Sequence, residues 1–262
     1  MKIDLSGHRA IVSGSTAGIG FAVATGLAQA GAAVVLNGRS EVGTLDAVGR
    51  LSRLVPAATV EGIDADLGSA ACVDYFVSKA GDADILINNL GMYEVRPFLD
   101  ISDALWRRIF DVNVMSGVRL CRHYFPKMLA RGWGRIVFVS SQSALNIPPE
   151  MIHYGMTKTA RLAIARGLAE LTAGTGVTVN SVLPGPIRSE GVGDFKLARE
   201  RGLTEEEIER SSFADMRPSS LLKRFATVEE VANMVVYIVS EQAAATNGAA
   251  LRVDGGVVRS IV

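Results

Sequence analysis

Short apolar segments alternate with longer helical segments along the whole chain. The apolar segments are rich in β-branched residues and barely alternate with polar ones, which is typical of parallel strands buried on both faces. They predict seven strands, at Ala10–Val12, Ala33–Leu36, Thr59–Ile63, Ile85–Ile87, Arg135–Val139, Val177–Val182 and Ala249–Val253. Helices are predicted between them, at Gly18–Ala30, Val42–Leu54, Ser69–Ala80, Ala104–Leu129, Met151–Thr172 and Val228–Ser240. This alternation predicts a doubly wound α/β fold with a seven-stranded parallel sheet and helices on both faces.

We find no long linker, low-complexity segment or internal repeat, so residues 1–262 are expected to form one domain. One segment departs from the alternation of strands and helices. Between Pro186 and Thr227 no strand is predicted, and the segment contains a charged helical stretch, Phe195–Arg210. Such a segment is either a solvated surface helix with its loops or a lid over a site.

Charge and composition exclude several classes of protein. The 27 Lys and Arg residues balance 27 Asp and Glu residues, so the net positive charge expected of a protein that binds nucleic acid or an anionic membrane is missing. Hydrophobic residues make up 48% of the chain, too many for a disordered protein. The two cysteines, Cys72 and Cys121, lie far apart, which argues against a disulfide framework and a structural zinc site. With neither a signal peptide nor a membrane-spanning apolar run, a cytoplasmic protein is expected.

A glycine-rich turn, Ser13–Gly20, follows the first predicted strand and precedes a helix of small residues. Glycines in such a turn let the backbone approach a pyrophosphate, and the helix N-terminus offers free N–H groups. The spacing Gly-x-x-x-Gly-x-Gly differs from the common dinucleotide pattern Gly-x-Gly-x-x-Gly. A P-loop ATPase is excluded because no Gly-Lys-Ser/Thr follows. The turn therefore predicts a dinucleotide site.

The end of the second predicted strand bears on the choice of dinucleotide. Proteins that prefer NAD usually carry an acidic residue near this point, which binds the adenosine ribose hydroxyls. Here the chain has Gly38 and then Arg39, whose guanidinium can pair with a 2′-phosphate. The pattern favours NADP(H). A solvated turn arginine is the alternative, and NAD stays possible.

Tyr154 and Lys158 stand four residues apart at the start of a predicted helix, so both side chains lie on one face. A phenol with an ordinary pKa of about 10 is a poor base at neutral pH. A nearby ammonium lowers this pKa and makes the phenol a usable proton donor or acceptor. Ser141, which follows the strand Arg135–Val139, could bind a substrate carbonyl. Each of these residues by itself also has an ordinary structural explanation.

Taken together, these residues resemble the short-chain dehydrogenase/reductase family in its short, single-domain form. Matching segments stand in the family's order over nearly the whole chain: Ser13–Gly20, Asp64–Leu67, Asn88–Gly91, Asn113, Ser141 with Tyr154 and Lys158, Pro184–Ser189, and Arg252–Gly256. The resemblance implies a Rossmann-like fold and an NAD(P)-dependent oxidoreductase that needs no metal.

The resemblance also implies roles for individual residues. Tyr154 would be the general acid and base at the substrate oxygen, Ser141 would polarise the carbonyl, and Lys158 would hold the nicotinamide ribose and lower the pKa of Tyr154. Asn113 would anchor a water that relays protons to solvent. The implied cofactor-binding residues are Gly14, Ser15, Thr16, Ala17, Gly18, Ile19, Gly20, Arg39, Asp66, Leu67, Asn89, Gly91, Tyr154, Lys158, Pro184, Gly185 and Ile187. Residues 188–226 would form the substrate-binding loop or lid.

Several positions depart from the family pattern. Ser13 replaces a threonine but keeps the hydroxyl, and Leu90 replaces an alanine. Ala17 stands where many NADP-preferring members carry a basic residue, which weakens the case for NADP. Thr175 stands where reductases of acyl-carrier-protein thioesters often have arginine.

We therefore expect an NADP(H)-preferring alcohol dehydrogenase or carbonyl reductase acting on a small-molecule carbonyl or alcohol. A 3-oxoacyl-thioester reductase and an NAD-linked sugar or hydroxy-acid dehydrogenase are the alternatives. A catalytically silent dinucleotide sensor is disfavoured because Ser141, Tyr154 and Lys158 are all present. A nucleotide-sugar epimerase or dehydratase is disfavoured because the chain has little room for a larger substrate domain.

The expected substrate pocket mixes amides and hydroxyls with apolar groups. Its predicted lining is Tyr93, Ser141, Gln142, Ser143, Asn146, Ile147, Met151 and Tyr154, together with parts of the lid. The apolar helices around Leu105–Met128 and Ile152–Leu171 resemble those that associate in the family's tetramers. A homotetramer is therefore expected, although core packing explains the same residues.

Overall fold

The computed structural model of the chain describes residues 2–188 and 204–261. The strands are β1 (Arg9–Val12), β2 (Ala33–Gly38), β3 (Val60–Asp64), β4 (Ile85–Asn88), β5 (Trp133–Val139), β6 (Gly176–Pro184) and β7 (Ala250–Val253). The α-helices of the described residues are α1 (Gly18–Gln29), α2 (Glu41–Leu54), α3 (Ala70–Ala80), α4 (Asp103–Phe110), α5 (Ser116–Arg131), α6 (Ile152–Glu170), α7 (Glu205–Ser211) and α8 (Val228–Ile238). All seven predicted strands are present, within a few residues of their predicted ends.

The strands form one parallel sheet in the order β3-β2-β1-β4-β5-β6-β7. The chain first builds outward from β1 to β3, then returns to the other side of β1 and builds outward again. The order therefore reverses between β1 and β4, where Val12 pairs with Ile87. The predicted doubly wound, Rossmann-like α/β fold is confirmed.

Two apolar clusters cover the two faces of the sheet. Val12 and its neighbours pack against α1 and α8, where Leu27 and Val235 are fully buried. Ile11 points to the opposite face and packs with α3, α5 and α6, where Phe76 is fully buried. Because successive strand residues point to opposite faces, the inner strands β1, β2, β4, β5 and β6 contribute to both clusters, which explains why they lack polar alternation.

The helix predicted at Ala104–Leu129 is interrupted in the structure by a π-helical turn at Asp111–Met115, between α4 and α5. Asn113 lies in this turn, and its side chain pairs with the backbone of Met92. Its Oδ1 accepts from Met92 N (2.7 Å) and its Nδ2 donates to Met92 O (2.9 Å). These bonds stabilise a wide turn that hydrophobic periodicity does not reveal, and such turns are frequent at functional sites.

Residues 189–203 of the predicted lid, 188–226, lie outside the described residues, as does most of the predicted charged helix Phe195–Arg210. In the described part, Arg188 N donates to Ala226 O (2.8 Å) and Ala226 N donates to Pro186 O (3.0 Å), so the two ends of the segment meet. Phe213 and Phe225 pack edge to face beneath α7. Within 2–188 and 204–261, no helix has the length and apolar character needed to cross a membrane.

A capping box begins α8, which carries much of one apolar cluster. Thr227 Oγ1 accepts from Glu230 N (3.2 Å), and Glu230 Oε2 accepts from Thr227 N (2.9 Å). We expect Thr227→Ala to lower the free energy of unfolding by about 1 kcal/mol because it leaves a helical N–H without its partner. Thr227→Ser keeps the hydroxyl and should stay within about 0.5 kcal/mol of the parent. Urea denaturation measures both, and equal stability of the two variants would contradict this assignment.

Candidate active site

A cavity of about 670 Å³ opens at the carboxyl ends of β1, β4, β5 and β6, where the strand order reverses. Ligands of doubly wound sheets bind at this edge, outside the reversal point. The sequence-predicted catalytic and cofactor residues that line it are Gly14, Ala17, Ile19, Gly20, Asn89, Gly91, Ser141, Tyr154, Lys158, Pro184, Gly185 and Ile187. The glycine turn and the Tyr154–Lys158 pair, which are far apart in sequence, thus face one cavity.

The glycine turn presents the N-terminus of α1 to this cavity. Ala17 precedes the helix without a side-chain cap, and the first helical turn contains no acidic residue. Gly18 has a φ of +56°, and no heavy atom lies within 4 Å of the position that a Cβ would take there. Open space beside uncapped helical N–H groups is a cradle for an anion, since these groups and the helix dipole favour negative charge. The turn fits a pyrophosphate.

The same turn packs closely against the loop that follows β4. A Cβ on Gly20 would lie 2.4 Å from Gly14 O and 2.5 Å from Asn89 Nδ2. Asn89 Nδ2 donates to Ser13 O (3.0 Å) and to Gly14 O (2.9 Å). The hydroxyl retained at Ser13 accepts from the backbone N–H of Asn89 and of Leu90, both at 3.0 Å. Ser13 and Asn89 therefore fix the glycine turn against the neighbouring strand end.

The end of β2 leaves no room for an acidic side chain at position 38. A Cβ on Gly38 would lie 2.3 Å from Thr44 Oγ1 and 2.6 Å from Thr16 Cγ2. Arg39 is exposed and forms neither a hydrogen bond nor an ion pair with the residues that the structure describes. A free guanidinium at this strand end is available to a phosphate.

The remaining predicted cofactor residues are not part of the cavity lining: Ser15, Thr16, Gly18, Arg39, Asp66 and Leu67. The side chains of Ser15 and Leu67 are fully buried. Ser15 Oγ donates to Val12 O (2.7 Å) and accepts from Asn37 N (2.9 Å). Ser15 thus ties the ends of β1 and β2 together, and because both side chains are buried, a ligand could meet only the backbone of Ser15 and Leu67.

Tyr154 and Lys158 occupy the first two turns of α6, on one face as predicted. Lys158 is only 5% exposed, and its Nζ donates to Val139 O (3.1 Å) and lies 5.4 Å from the centre of the Tyr154 ring. Ser140 Oγ donates to Lys158 O (2.7 Å), which ties α6 to the end of β5. Ser141 Oγ accepts from Ser143 N (3.1 Å) at the start of a short 3₁₀ turn.

Burial and the charge of Arg161 shift the pKa of Tyr154 in opposite directions and the pKa of Lys158 in the same direction. Burial raises the pKa of Tyr154, while its hydrogen bond with Ser141 and the positive charge of Arg161 lower this pKa. Burial, reinforced by the charge of Arg161, holds the pKa of Lys158 well below its ordinary value. The family resemblance attributes the lowering of the Tyr154 pKa to Lys158, whereas in the structure the cation that lowers this pKa is Arg161. Sequence reasoning missed Arg161, although a charged residue on the inward face of α6 could have signalled it.

Asn113 lies behind the cavity wall and is fully buried (0% exposed). Its Nδ2 donates to Thr157 Oγ1 (2.9 Å), and its backbone carbonyl accepts from Arg161 Nε (2.5 Å). A Cβ on Gly91 would be 3.5 Å from both Asn113 Oδ1 and Lys158 Nζ, so these two polar groups are neighbours across Gly91. The predicted catalytic residues thus meet in one region.

The eight residues predicted to line the substrate pocket all line the cavity. The lining also includes residues outside the predicted site and pocket, among them Met92, Val95, Glu150, Met216, Arg217, Ser219, Phe225 and Val257. Met216, Arg217, Ser219 and Phe225 belong to the segment predicted as a lid, whereas nothing in the local sequence marked Val257. Among the described residues, no group of three or more His, Cys, Asp or Glu side chains could hold a metal ion.

Comparison with known proteins gives consistent matches over the whole chain. The family described as enoyl-(acyl carrier protein) reductase matches residues 14–258. The chain is 45% identical to the uncharacterized oxidoreductase YvrD of Bacillus subtilis (strain 168), with 100% of each covered. It is 36% identical to the D-beta-hydroxybutyrate dehydrogenase of Rhizobium meliloti (strain 1021), covering 94% of this chain and 97% of the relative. The crystal structure of L-sorbose reductase from Gluconobacter frateurii, complexed with NADPH and L-sorbose, superimposes with a TM-score of 0.90 at 32% identity and covers 100% of both chains.

We expect Gly20→Ala to destabilise the protein by about 1–3 kcal/mol, because the added methyl group must displace backbone and the Asn89 amide. Gly167→Ala is the matched control. It also places a methyl group on a helical glycine, but no heavy atom lies within 4 Å of it, and it should be neutral or stabilising by up to about 1 kcal/mol. The free energy of unfolding in urea measures both. A Gly20→Ala variant as stable as Gly167→Ala would mean that the turn is not closely packed.

Proposed function

The chain belongs to the short-chain dehydrogenase/reductase family and is an oxidoreductase, and on this basis we propose that it is an NADP(H)-preferring dehydrogenase or reductase of small carbonyl compounds. One observation carries the proposal: a single cavity is lined both by the glycine turn and by Ser141, Tyr154 and Lys158. A dinucleotide anchored on the turn would bring its reactive end to the tyrosine.

The cavity fits a nicotinamide dinucleotide, which when bound supplies or accepts the hydride. The uncapped start of α1 and the open space beside Gly18 would hold the pyrophosphate. Lys158 carries more N–H donors than the one that Val139 O takes, and the remainder are available to the nicotinamide ribose. The residues that would contact the rest of the cofactor are Asn89, Gly91, Tyr154, Pro184, Gly185 and Ile187.

The chain's own residues would handle the proton. In reduction, Tyr154 Oη would donate its proton to the substrate oxygen as that oxygen gains negative charge, and in oxidation it would accept the proton from the alcohol. The Ser141 hydroxyl would donate a hydrogen bond to the same oxygen and stabilise the developing charge. Asn113 would hold the π-helical turn beside Lys158 and anchor the water of the proton relay.

Three observations support a preference for NADP(H). Position 38 has no room for the acidic side chain that usually selects NAD. Arg39 is exposed and unpaired with the described residues, so its guanidinium is available to a 2′-phosphate. The L-sorbose reductase that superimposes on this chain binds NADPH.

For the substrate, the lining supports a small, polar carbonyl or hydroxy compound. Gln142, Ser143 and Asn146 offer amides and hydroxyls beside the apolar Ile147 and Met151. A ketose or a hydroxy acid has this mixture of groups, and the L-sorbose reductase and hydroxybutyrate dehydrogenase relatives act on such compounds by name. The second candidate, supported by the matched family description, is an acyl-thioester reductase. Oxidation of NADPH in the presence of ketoses, oxo acids or an acetoacetyl thioester would separate them.

We further expect a homotetramer in the cytoplasm. Phe98, Leu99 and Phe110, in and around α4, expose apolar side chains that association could cover. Light scattering on the purified protein gives the number of subunits.

Tyr154→Phe should reduce turnover at least about 100-fold, because the proton donor is lost while the ring stays. The dissociation constant for NADPH should change by less than about two-fold, since the cofactor's phosphates bind elsewhere. Steady-state kinetics and a fluorescence titration measure the two effects. Tyr75→Phe, which removes the hydroxyl of an exposed tyrosine on α3, is the control. If Tyr154→Phe kept more than a few per cent of activity, the assignment of the proton donor would be wrong.

Arg39→Ala should weaken NADPH binding by about ten-fold or more, because a charge-assisted hydrogen bond to the 2′-phosphate is lost. NADH binding should change by less than about two-fold, since NADH lacks that phosphate. Arg53→Ala removes the same charge from the far end of α2 and should leave both affinities unchanged. Parallel fluorescence titrations of the three proteins decide the matter. Equal weakening of both cofactors by Arg39→Ala would remove the argument for the 2′-phosphate.

A further inference from the structure

Arg161 lies on the face of α6 that carries Tyr154 and Lys158, three residues after the lysine. It is only 1% exposed and is one of the two largest fully buried side chains of the described protein. Charged side chains are rarely buried to this degree unless something compensates for the loss of water.

All the acceptors of the Arg161 guanidinium are neutral backbone carbonyls. Nε donates to Asn113 O (2.5 Å), and Nη1 donates to Val139 O (2.6 Å) and Asn88 O (3.3 Å). Nη2 donates to Leu90 O. These carbonyls satisfy the hydrogen bonds of the guanidinium, but they do not cancel its charge.

The four carbonyls belong to three segments that build the active site. Val139 is the last residue of β5 and lies two residues before Ser141. Asn88 and Leu90 flank Asn89, which holds the glycine turn. Asn113 is in the π-helical turn. One rigid, planar side chain therefore joins segments that are far apart in sequence, which a lysine with its single ammonium could not do.

Arg161 and Lys158 also share an acceptor. Val139 O receives Lys158 Nζ at 3.1 Å and Arg161 Nη1 at 2.6 Å. The guanidinium thus fixes the carbonyl on which the lysine depends, and it keeps a second positive charge beside the ammonium. Burial lowers the pKa of Arg161 to about 10, so the side chain stays protonated at neutral pH. Its charge favours the ionised form of Tyr154.

We propose that Arg161 is a positioning residue of the active site, which aligns Lys158 with the ends of β4 and β5 and places a buried cation on the face of α6 that carries Tyr154. The proposal rests on the proposed function for its catalytic meaning, but the ionisation of Tyr154 can be measured without turnover.

A purely structural guanidinium is the competing explanation, and the chain contains a matched control for it. Arg135 is 2% exposed and donates to Gly134 O (3.0 Å) and Gly176 O (2.7 Å). Unlike Arg161, it also donates to a carboxylate, Glu241 Oε1, at 3.4 Å. It lies near the amino end of β5, away from the cavity. Arg135→Gln and Arg161→Gln should both lower the free energy of unfolding, because each removes a buried charge and several hydrogen bonds.

The experiment compares the absorbance of the tyrosine phenolate as a function of pH in each protein and in its Tyr154→Phe counterpart, so that the difference reports Tyr154 alone. Removal of a nearby cation destabilises the phenolate, so Arg161→Gln should raise the apparent pKa of Tyr154. Because Arg161 itself titrates at about 10, within the range of this titration, the expected shift is about half a unit or more. Arg161→Lys keeps the positive charge and should shift the apparent pKa of Tyr154 by less than about half as much as Arg161→Gln does. Arg135→Gln should leave it unshifted. An unshifted pKa in a folded Arg161→Gln variant would overturn the electrostatic part.

Arg161→Lys tests the alignment separately, and it stays informative if Arg161→Gln does not fold. Arg161→Lys keeps the positive charge but loses the planar guanidinium that joins the three segments. Its kcat for NADPH-dependent reduction should therefore fall by about ten- to a hundred-fold while KM changes little. Wild-type kcat in Arg161→Lys would overturn the positioning role. Absence of turnover in the parent protein with every carbonyl tested would instead count against the proposed function, and the phenolate titration would still decide the electrostatic role of Arg161.

Discussion

β1 and β4 pair in parallel, so their carboxyl ends lie side by side. The segments that follow the two strands then run to different parts of the fold. The turn after β1 enters α1 on one face of the sheet, and the loop after β4 leads toward α4 and α5. The space between these diverging segments is where the cavity opens, as in other doubly wound sheets. The strand order creates this space, and every group proposed to act on a ligand lies around it. The position of the site is therefore set by the strand order and not by any single side chain.

Where the parallel ladder ends, its last backbone groups lose their strand partners, and buried groups of this kind need a substitute. Side-chain amides supply it at several places along the edge. Asn37 donates to Gly38 O, Ile63 O and Ala65 O and accepts from Gly14 N. Asn113 bonds both backbone groups of Met92 in the same manner. These side-chain amides therefore replace missing strand partners at the edge that holds the ligand, and they help it to keep its shape beside an open cavity.

This network is also electrostatically biased. Arg161 contributes a positive charge whose acceptors are neutral carbonyls, and Lys158 lies beside it. The uncapped start of α1 adds the partial positive charge of a helix N-terminus at the other end of the cavity. A site with this distribution is suited to the phosphates of a dinucleotide and to an oxygen that becomes negative during reaction. The burial that raises the pKa of Tyr154 is opposed by its hydrogen bond with Ser141 and by the charge of Arg161.

The local sequence pattern was sufficient to predict much of the fold of this protein. Hydrophobic runs and helical periodicity depend on neighbouring residues, so they predicted the strands, most helices and the doubly wound sheet, and the four-residue spacing placed Tyr154 and Lys158 on one face. The π-helical turn at Asn113, the lack of room at Gly38 and the acceptors of Arg161 were decided only by the tertiary structure. In each case at least one partner is distant in sequence, as Asn88 is from Arg161. The packing of whole elements brings such residues together, and no local period encodes that packing.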